Sequence, residues 1–238
     1  MEALQNTPKV IRKVFLAPDL RDTELRQLLT KNAIPTAALA PGRGKGLVGK
    51  DAVHQGVIAV MDPSSLLITL DEFLAAIPAS GPAKTAVAVL AEVQDPHNVG
   101  AIIRSAAAFG LSAVLIPEHH QAPVTGTVVK SSAGMTFRIP LVSIGNVNHT
   151  LQLLKKKGFW IYGLSAKGKT FLGAETFDAP SAFVIGNEGA GIREKTLDAC
   201  DIELSIPMHA RTESLNAAAS AAVVFFEWSQ KHPEALGK

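Results

Sequence analysis

Three short stretches hold the polar side chains whose types and spacing could do chemistry. Asp95-Pro-His-Asn-Val-Gly-Ala-Ile-Ile-Arg104 carries an amide, Asn98, and a guanidinium, Arg104, six residues apart. Gly186-Asn-Glu-Gly-Ala-Gly191 sets one carboxylate, Glu188, among glycines, and Ile206-Pro-Met-His-Ala-Arg-Thr-Glu-Ser-Leu-Asn216 ends on a hydroxyl, Ser214, and a second amide, Asn216. A carboxylate in a glycine loop can receive a proton, orient a neighbouring amide or hold a guanidinium by a charge-assisted bond, and the orienting role is favoured here. A guanidinium is effectively never deprotonated, so Arg104 suits gripping a phosphate and stabilising developing negative charge rather than acting as a base. Each group also has a plain reading: Asn98, Ser214 and Asn216 as helix caps, Gly186, Gly189 and Gly191 as a tight turn, Arg104 as a surface side chain.

The elements that must position these groups repeat one construction. The apolar strands Thr85–Val93, Ala182–Ile185 and Ile202–Ser205 break at Pro96, Gly186 and Pro207, and each leads through a polar loop into a helix, the last an Ala-rich run from Ala217 to Trp228. Such loops lie at the carboxyl ends of strands, where open α/β sheets place their ligands. Further strands at Ser112–Ile116, Leu141–Ser143 and Phe159–Leu164 alternate with helices at Val124–Ser132 and Val147–Lys157. Repeated strand–helix units predict an α/β fold, a parallel sheet covered by helices on both faces.

The N-terminal third reads as a separate small α/β module, with strands at Val10–Ala17, Pro35–Leu39 and Gly56–Met61 and a helix at Thr23–Asn32. Residues 1–50 carry nine lysines and arginines against four acids, on a chain whose net charge is only +2. That bias suggests contact with a polyanion. The glycine-rich Pro41-Gly-Arg-Gly-Lys-Gly-Leu-Val-Gly-Lys50 spells both a dinucleotide fingerprint and most of a phosphate-binding loop. Both readings fail on context, because Asp51 replaces the Ser or Thr that would hold magnesium and the segment leads to a strand. A basic loop touching RNA through Arg43, Lys45 and Lys50 stands beside a plain surface turn. Residues 63–84, rich in Pro and Ser around a helical patch at Leu70–Ile77, read as a linker between an N-terminal domain at 1–62 and a larger domain at 85–238.

Composition bounds the function further. With 238 residues and 47% hydrophobic content the chain can bury a real core. A single cysteine permits no internal disulfide and cannot hold an iron–sulfur cluster, and the cytoplasm is the expected compartment. His97, His119, His120 and His149 have no metal-ligand spacing, and no metal is expected; no hydrolase elbow occurs.

In register and in this order, the three stretches resemble the signature motifs of the SpoU (TrmH-like) family of RNA 2'-O-ribose methyltransferases, in the SPOUT superfamily. Asn98, Gly100 and Arg104 fill N-x-G-x-x-x-R; Gly186, Glu188, Gly189 and Gly191 fill G-x-E-G-x-G; Ile206 to Met208 and Ser214 to Asn216 fill the third. The resemblance covers about half of the chain. It implies a SPOUT-type sheet whose last two motif loops form a trefoil knot, a dimer, and S-adenosylmethionine held near Gly186, Ile206, Met208 and Leu215. It also implies a pocket in which Asn98, Arg104, Glu188, Ser214 and Asn216 serve methyl transfer to a ribose hydroxyl. His54-Gln55-Gly56 and the strand after it resemble the family's RNA-binding domain, which adds His54 and Gln55 to the RNA-binding candidates and favours ribosomal over transfer RNA. That domain usually begins with one more strand and helix than the sequence offers before Leu4. Ala210 and Ala217 replace the family's usual glycine and valine, so His209 and Arg211 lie in a loop of altered shape and are extra candidates for touching RNA. Rival readings are a non-catalytic RNA-binding assembly factor of the same fold and a base methyltransferase.

Overall fold

The computed structural model describes residues 1–40, 54–77 and 85–237. Two compact units divide the chain, Met1–Leu66 and Leu67–Lys238. In the first, a short helix α1 (Glu2–Asn6) precedes strand β1 (Ile11–Leu16), helix α2 (Thr23–Lys31), and strands β2 (Thr36–Ala38) and β3 (Val57–Met61). Strand β1 is central, parallel to β2 and antiparallel to β3. Asp22 starts α2 by accepting the Leu25 N–H at 2.9 Å, and Leu25 and Leu29 on the helix are buried along with Val14 and Leu16 of β1. Arg43, Lys45 and Lys50 lie outside the described residues.

The second unit contains β4 (Leu67–Thr69), α3 (Leu70–Ala76), β5 (Ala86–Leu90), α4 (Pro96–Ala108), β6 (Ala113–Pro117), α5 (Gly126–Ser131), β7 (Leu141–Ile144) and α6 (Val147–Lys156). It continues with β8 (Trp160–Leu164), β9 (Thr170–Phe171), β10 (Ser181–Ile185), α7 (Glu194–Leu197), β11 (Ile202–Ser205) and α8 (Ala217–Lys231). Eight strands form one sheet in the order β4-β7-β6-β5-β10-β8-β11-β9, and every pairing is parallel. From β5 the chain steps outward through β6 to β7 and then fills the other half, so the strand order reverses between β5 and β10. Side chains alternate across the sheet: Val87, Val89, Ala182 and Val184 pack with Phe73 of α3 and Leu151 of α6. On the opposite face Phe183 meets Phe225 of α8, ring centroids 5.9 Å apart, and Ile102 and Ile103 of α4 are wholly buried. Helices thus cover both faces, as the strand–helix alternation predicts.

The stretch read as a linker needs correction over its first half. Leu67–Thr69 pairs with Leu141–Ser143 as an edge strand of the large sheet, and α3 follows at once. A reciprocal cap starts that helix: Thr69 Oγ1 accepts the Glu72 N–H at 3.2 Å, and Glu72 accepts the Thr69 N–H at 2.8 Å.

Two glycines are fixed by crowding. A Cβ on Gly100 would sit 1.9 Å from the Ser131 hydroxyl and 2.8 Å from the Val128 carbonyl, so this position lets α4 lie directly against α5. A Cβ on Gly186 would fall 2.4 Å from main-chain atoms of Gly191 and Ile192. What approaches Gly186 is therefore the returning end of its own loop.

Candidate active site

The three polar loops meet at the carboxyl ends of β5, β10 and β11. Glu188, beyond β10, accepts the main-chain N–H of Asp95 at 3.0 Å and of Gln94 at 3.2 Å, both beyond β5. Asn98, in the first turn of α4, donates from Nδ2 to Glu188 Oε1 at 3.0 Å, and its Oδ1 accepts from Asn216 Nδ2 at 3.0 Å. Asn216 in turn caps α8, its Oδ1 accepting the N–H groups of Ala218 and Ala219 at 2.9 and 3.2 Å. One continuous hydrogen-bond chain therefore ties Asn98 to Glu188 and Asn216, which lie 90 and 118 residues further along the sequence. Asn98 is 8% exposed, and both ends of its amide are satisfied.

The cap of α4 is Asp95, not Asn98: its carboxylate accepts the His97 N–H at 2.8 Å with Pro96 opening the helix. Asn98 is thereby freed for the carboxylate and the second amide. Ser214 caps nothing; Asn216 alone takes that role on α8. Burial tends to raise the Glu188 pKa, but the bonds from Asn98, Asp95, its own main-chain N–H and Gln94 outweigh it and hold the carboxyl below its ordinary range. At neutral pH Glu188 is an acceptor with its lone pairs engaged. That suits an orienting group and makes it a poor proton acceptor.

Beside this chain lies a cavity of about 490 Å³ at the ends of β8, β10 and β11. Of the cofactor candidates, Gly186, Ile206, Met208 and Leu215 all line it, together with Glu188 and Ser214. Apolar walls from Ile185, Leu197, Leu204 and Ile206 face polar groups of Ser165, Lys167 and Ser220. The cavity offers a dry face for a purine and donors and acceptors for polar ends, within the size range of small-molecule sites. Asn187 shapes its rim, donating from Nδ2 to the Glu92 carbonyl at 3.0 Å and accepting the N–H groups of Gly189 and Ala190 at 3.0 Å.

Arg104 is not brought to this cluster within one chain. Six residues along α4 carry it about 9 Å down the helix axis from Asn98 and onto another face. There it is exposed, with no hydrogen-bonding or ionic partner among the described residues. In the first unit His54 and Gln55 form an exposed turn: His54 Nδ1 accepts the Gly56 N–H at 3.1 Å, and Gln55 and Gly56 have φ of 48° and 80°. Among the described residues no group of three or more His, Cys, Asp or Glu is placed to hold a metal ion, and no helix is long and apolar enough to cross a membrane.

Comparison with known proteins meets this geometry. The SpoU rRNA Methylase family matches residues 85–226, and the RNA 2'-O ribose methyltransferase substrate-binding family matches residues 1–67. The chain belongs to the SpoU family of RNA 2'-O-ribose methyltransferases. A 23S rRNA (guanosine-2'-O-)-methyltransferase RlmB of Ralstonia nicotianae is 34% identical over 227 residues, 94% of this chain and 89% of that one. The RlmB of Nitrosomonas europaea is 33% identical over 236 residues, 98% of this chain and 89% of the relative. Among solved structures, the SpoU methyltransferase AviRb of Streptomyces viridochromogenes, in complex with the cofactor AdoMet, superposes with a TM-score of 0.77. It is 25% identical, with 94% of this chain and 83% of that one covered.

Within the SpoU frame, several residues that position the site carry no local signal in the sequence. Gln121 grips Val93 through both amide atoms, donating to its carbonyl at 2.6 Å and accepting its N–H at 2.9 Å, and so fixes the turn that presents the Gln94 and Asp95 N–H groups. Arg193 donates from Nε to Glu92 at 3.0 Å across 101 residues. Asp95 followed by Pro96 is the exception: a cap residue ahead of a proline is a readable helix start.

Proposed function

We propose that this SpoU protein transfers a methyl group from S-adenosylmethionine to the 2'-hydroxyl of a ribose in ribosomal RNA. The relatives named as 23S rRNA guanosine methyltransferases support that substrate class. The observation that carries the reading is the Glu188–Asn98–Asn216 hydrogen-bond chain, which joins the three motif loops and whose Glu188 lines the 490 Å³ cavity. S-adenosylmethionine supplies, when bound, a methyl activated by its sulfonium. Gly186, Ile206, Met208 and Leu215 would hold it, and the trefoil knot implied by the family motifs belongs to this proposal. Most of the rate then comes from holding the ribose oxygen in line. Glu188 keeps Asn98 oriented, Asn98 fixes Asn216, and Asn216 fixes the start of α8 beside Ser214, so the pocket is rigid before RNA arrives. With Glu188 held ionised, the hydroxyl proton passes to water, and Arg104 grips the adjoining phosphate and stabilises charge growing on the oxygen.

Arg104 needs a second subunit to meet this site, and the surface around it supports a homodimer. Ala219, Val223 and Phe226 form an exposed stripe on α8 at helical spacing, and Val223 and Phe226 are 40% and 48% exposed. The Phe109 ring, just beyond the end of α4, meets Phe226 edge-on at 5.8 Å, so this stripe continues toward the helix that carries Arg104. The first unit, basic in sequence, supplies the RNA-binding residues: His54 and Gln55, and by their sequence Arg43, Lys45 and Lys50. A ribosomal RNA substrate and a lone cysteine support a cytoplasmic enzyme.

Incubating the protein with unmodified 23S rRNA and S-adenosylmethionine, then digesting to nucleosides for mass spectrometry, tests the function. A 2'-O-methylated nucleoside is expected. A base-methylated product, or none while the cofactor binds, favours respectively a base methyltransferase or an assembly factor.

A further inference from the structure

The turn between β5 and α4 has to aim two main-chain donors at one carboxylate. The N–H groups of Gln94 and Asp95 reach different oxygens of Glu188, at 3.2 and 3.0 Å. Both residues are exposed, so their aim depends on what grips the main chain on either side. Helix α4 fixes the chain after them. Before them stands Glu92 with a left-handed φ of 69°, a backbone setting that a residue with a side chain keeps only where its surroundings impose it.

Val93 lies between the left-handed Glu92 and the two donors, and Gln121 holds it on both sides. The Gln121 side chain accepts the Val93 N–H at 2.9 Å and donates to the Val93 carbonyl at 2.6 Å, and the Ala122 N–H reaches the same carbonyl at 3.0 Å. A side-chain amide suits this grip because it carries a donor and an acceptor side by side. Gln121 comes from the loop between β6 and α5 and is half-buried, while Val93 is fully buried. Neither residue lines the cofactor cavity, and both side-chain bonds of Gln121 go to Val93 rather than to any motif residue. Asn187 and Arg193 steady the same turn through Glu92, so loss of the Gln121 grip loosens the turn without unfolding it.

We propose that Gln121 is a positioning residue for methyl transfer, setting through Val93 the two N–H groups that orient Glu188. The inference rests on the methyltransferase reading and extends it to a residue outside all three motifs. From Glu188 the effect passes to Asn98 and from Asn98 to Asn216, whose side chain caps α8. A loosened turn lets Glu188 swing, and the Asn98 and Asn216 amides lose their fixed direction. The cost falls on alignment of the reacting groups, which is steeply sensitive to small displacements, and not on the walls that hold the cofactor.

The test uses the full-length protein with S-adenosylmethionine and unmodified 23S rRNA, and two variants. Gln121→Met keeps the side chain's length and removes both bonds; Gln121→Glu keeps the acceptor and sets an oxygen against the Val93 carbonyl. In each, kcat should fall roughly tenfold or more, while the KM for RNA and the calorimetric affinity for S-adenosylmethionine stay within about threefold of the wild type. Hydrogen exchange followed by mass spectrometry reads the relay apart from activity. Exchange should quicken about tenfold at Gln94 and Asp95 and also at Ala218 and Ala219, whose N–H groups Asn216 caps, with α6 on the other face of the sheet unchanged. Faster exchange confined to the turn around Val93, with kcat unchanged, overturns the proposal, because Gln121 then serves only its own surroundings. A fall in kcat matched by lost cofactor affinity, or exchange raised throughout the chain, overturns it as general damage. If Gln121→Met fails to fold, Gln121→Glu decides by the same readings. A wild type that methylates no RNA sinks the methyltransferase reading instead, and exchange at the four amides still decides whether Gln121 sets the Glu188 donors.

Discussion

Arg104 and Glu188 have opposite settings, and the difference supports the separate roles proposed for them. Glu188 is enclosed by donors that hold it ionised, whereas Arg104 stands exposed without a partner among the described residues. Arg104→Lys keeps the charge but loses the fork that matches a phosphate, so turnover should fall about 100-fold with affinity for S-adenosylmethionine unchanged. Near-normal turnover in that variant would remove Arg104 from the mechanism. Glu188 has a folded pKa below its unfolded value, so its bonds stabilise the protein above the ordinary carboxylate range and that contribution is lost as pH falls through the folded value. The melting temperature of Glu188→Gln should therefore lie below that of the wild type at pH 7, and the gap should narrow below about pH 4. A gap independent of pH would mean the carboxylate charge contributes nothing. Asn98→Ala leaves a carboxylate and an amide short of a partner and should cost about 2 kcal/mol in denaturant unfolding.

At the scale of elements, close packing explains what the glycines do. Gly100→Ala pushes a methyl into the Ser131 hydroxyl and the Val128 carbonyl, and α4 must shift from α5, an overpacking cost of about 1–3 kcal/mol. A chevron or denaturation midpoint equal to the wild type would contradict that packing. Much at this scale was legible in the sequence, because Pro96, Gly186 and Pro207 end apolar strands by local chemistry that needs no long-range partner. The start of the large sheet was obscured by composition. Pro63, Ser64 and Ser65 look like linker, yet Thr69 and Glu72 spell a capping box, and β4 gains its place only by pairing with β7 more than seventy residues on. The three-residue length of that strand leaves no periodicity to read. Gln121 is invisible for the same reason: its partner Val93 lies 28 residues away, and an amide mimicking a strand edge has no sequence signature.

For the whole molecule, the motifs identified which loops matter, and the parallel sheet accounts for their meeting, since all three leave the carboxyl ends of adjacent or nearby strands. What single-chain geometry leaves apart is Arg104, which would join the site only in the proposed homodimer. Phe226→Glu places a charge in the middle of the exposed α8 stripe and should yield monomers by analytical ultracentrifugation, with methyl transfer lost together with the dimer. A monomeric wild type that is fully active would remove that requirement. The central claim is that the cavity walled by the last two motif loops seats the methyl donor. Titrating S-adenosylmethionine into wild type and Leu215→Glu by calorimetry tests it most directly, because Leu215 lines the cavity while being 40% exposed and is not part of the core. Saturable one-to-one binding by the wild type, weakened more than about tenfold in Leu215→Glu, is the predicted result. No binding by the wild type, or equal binding by both proteins, would contradict it.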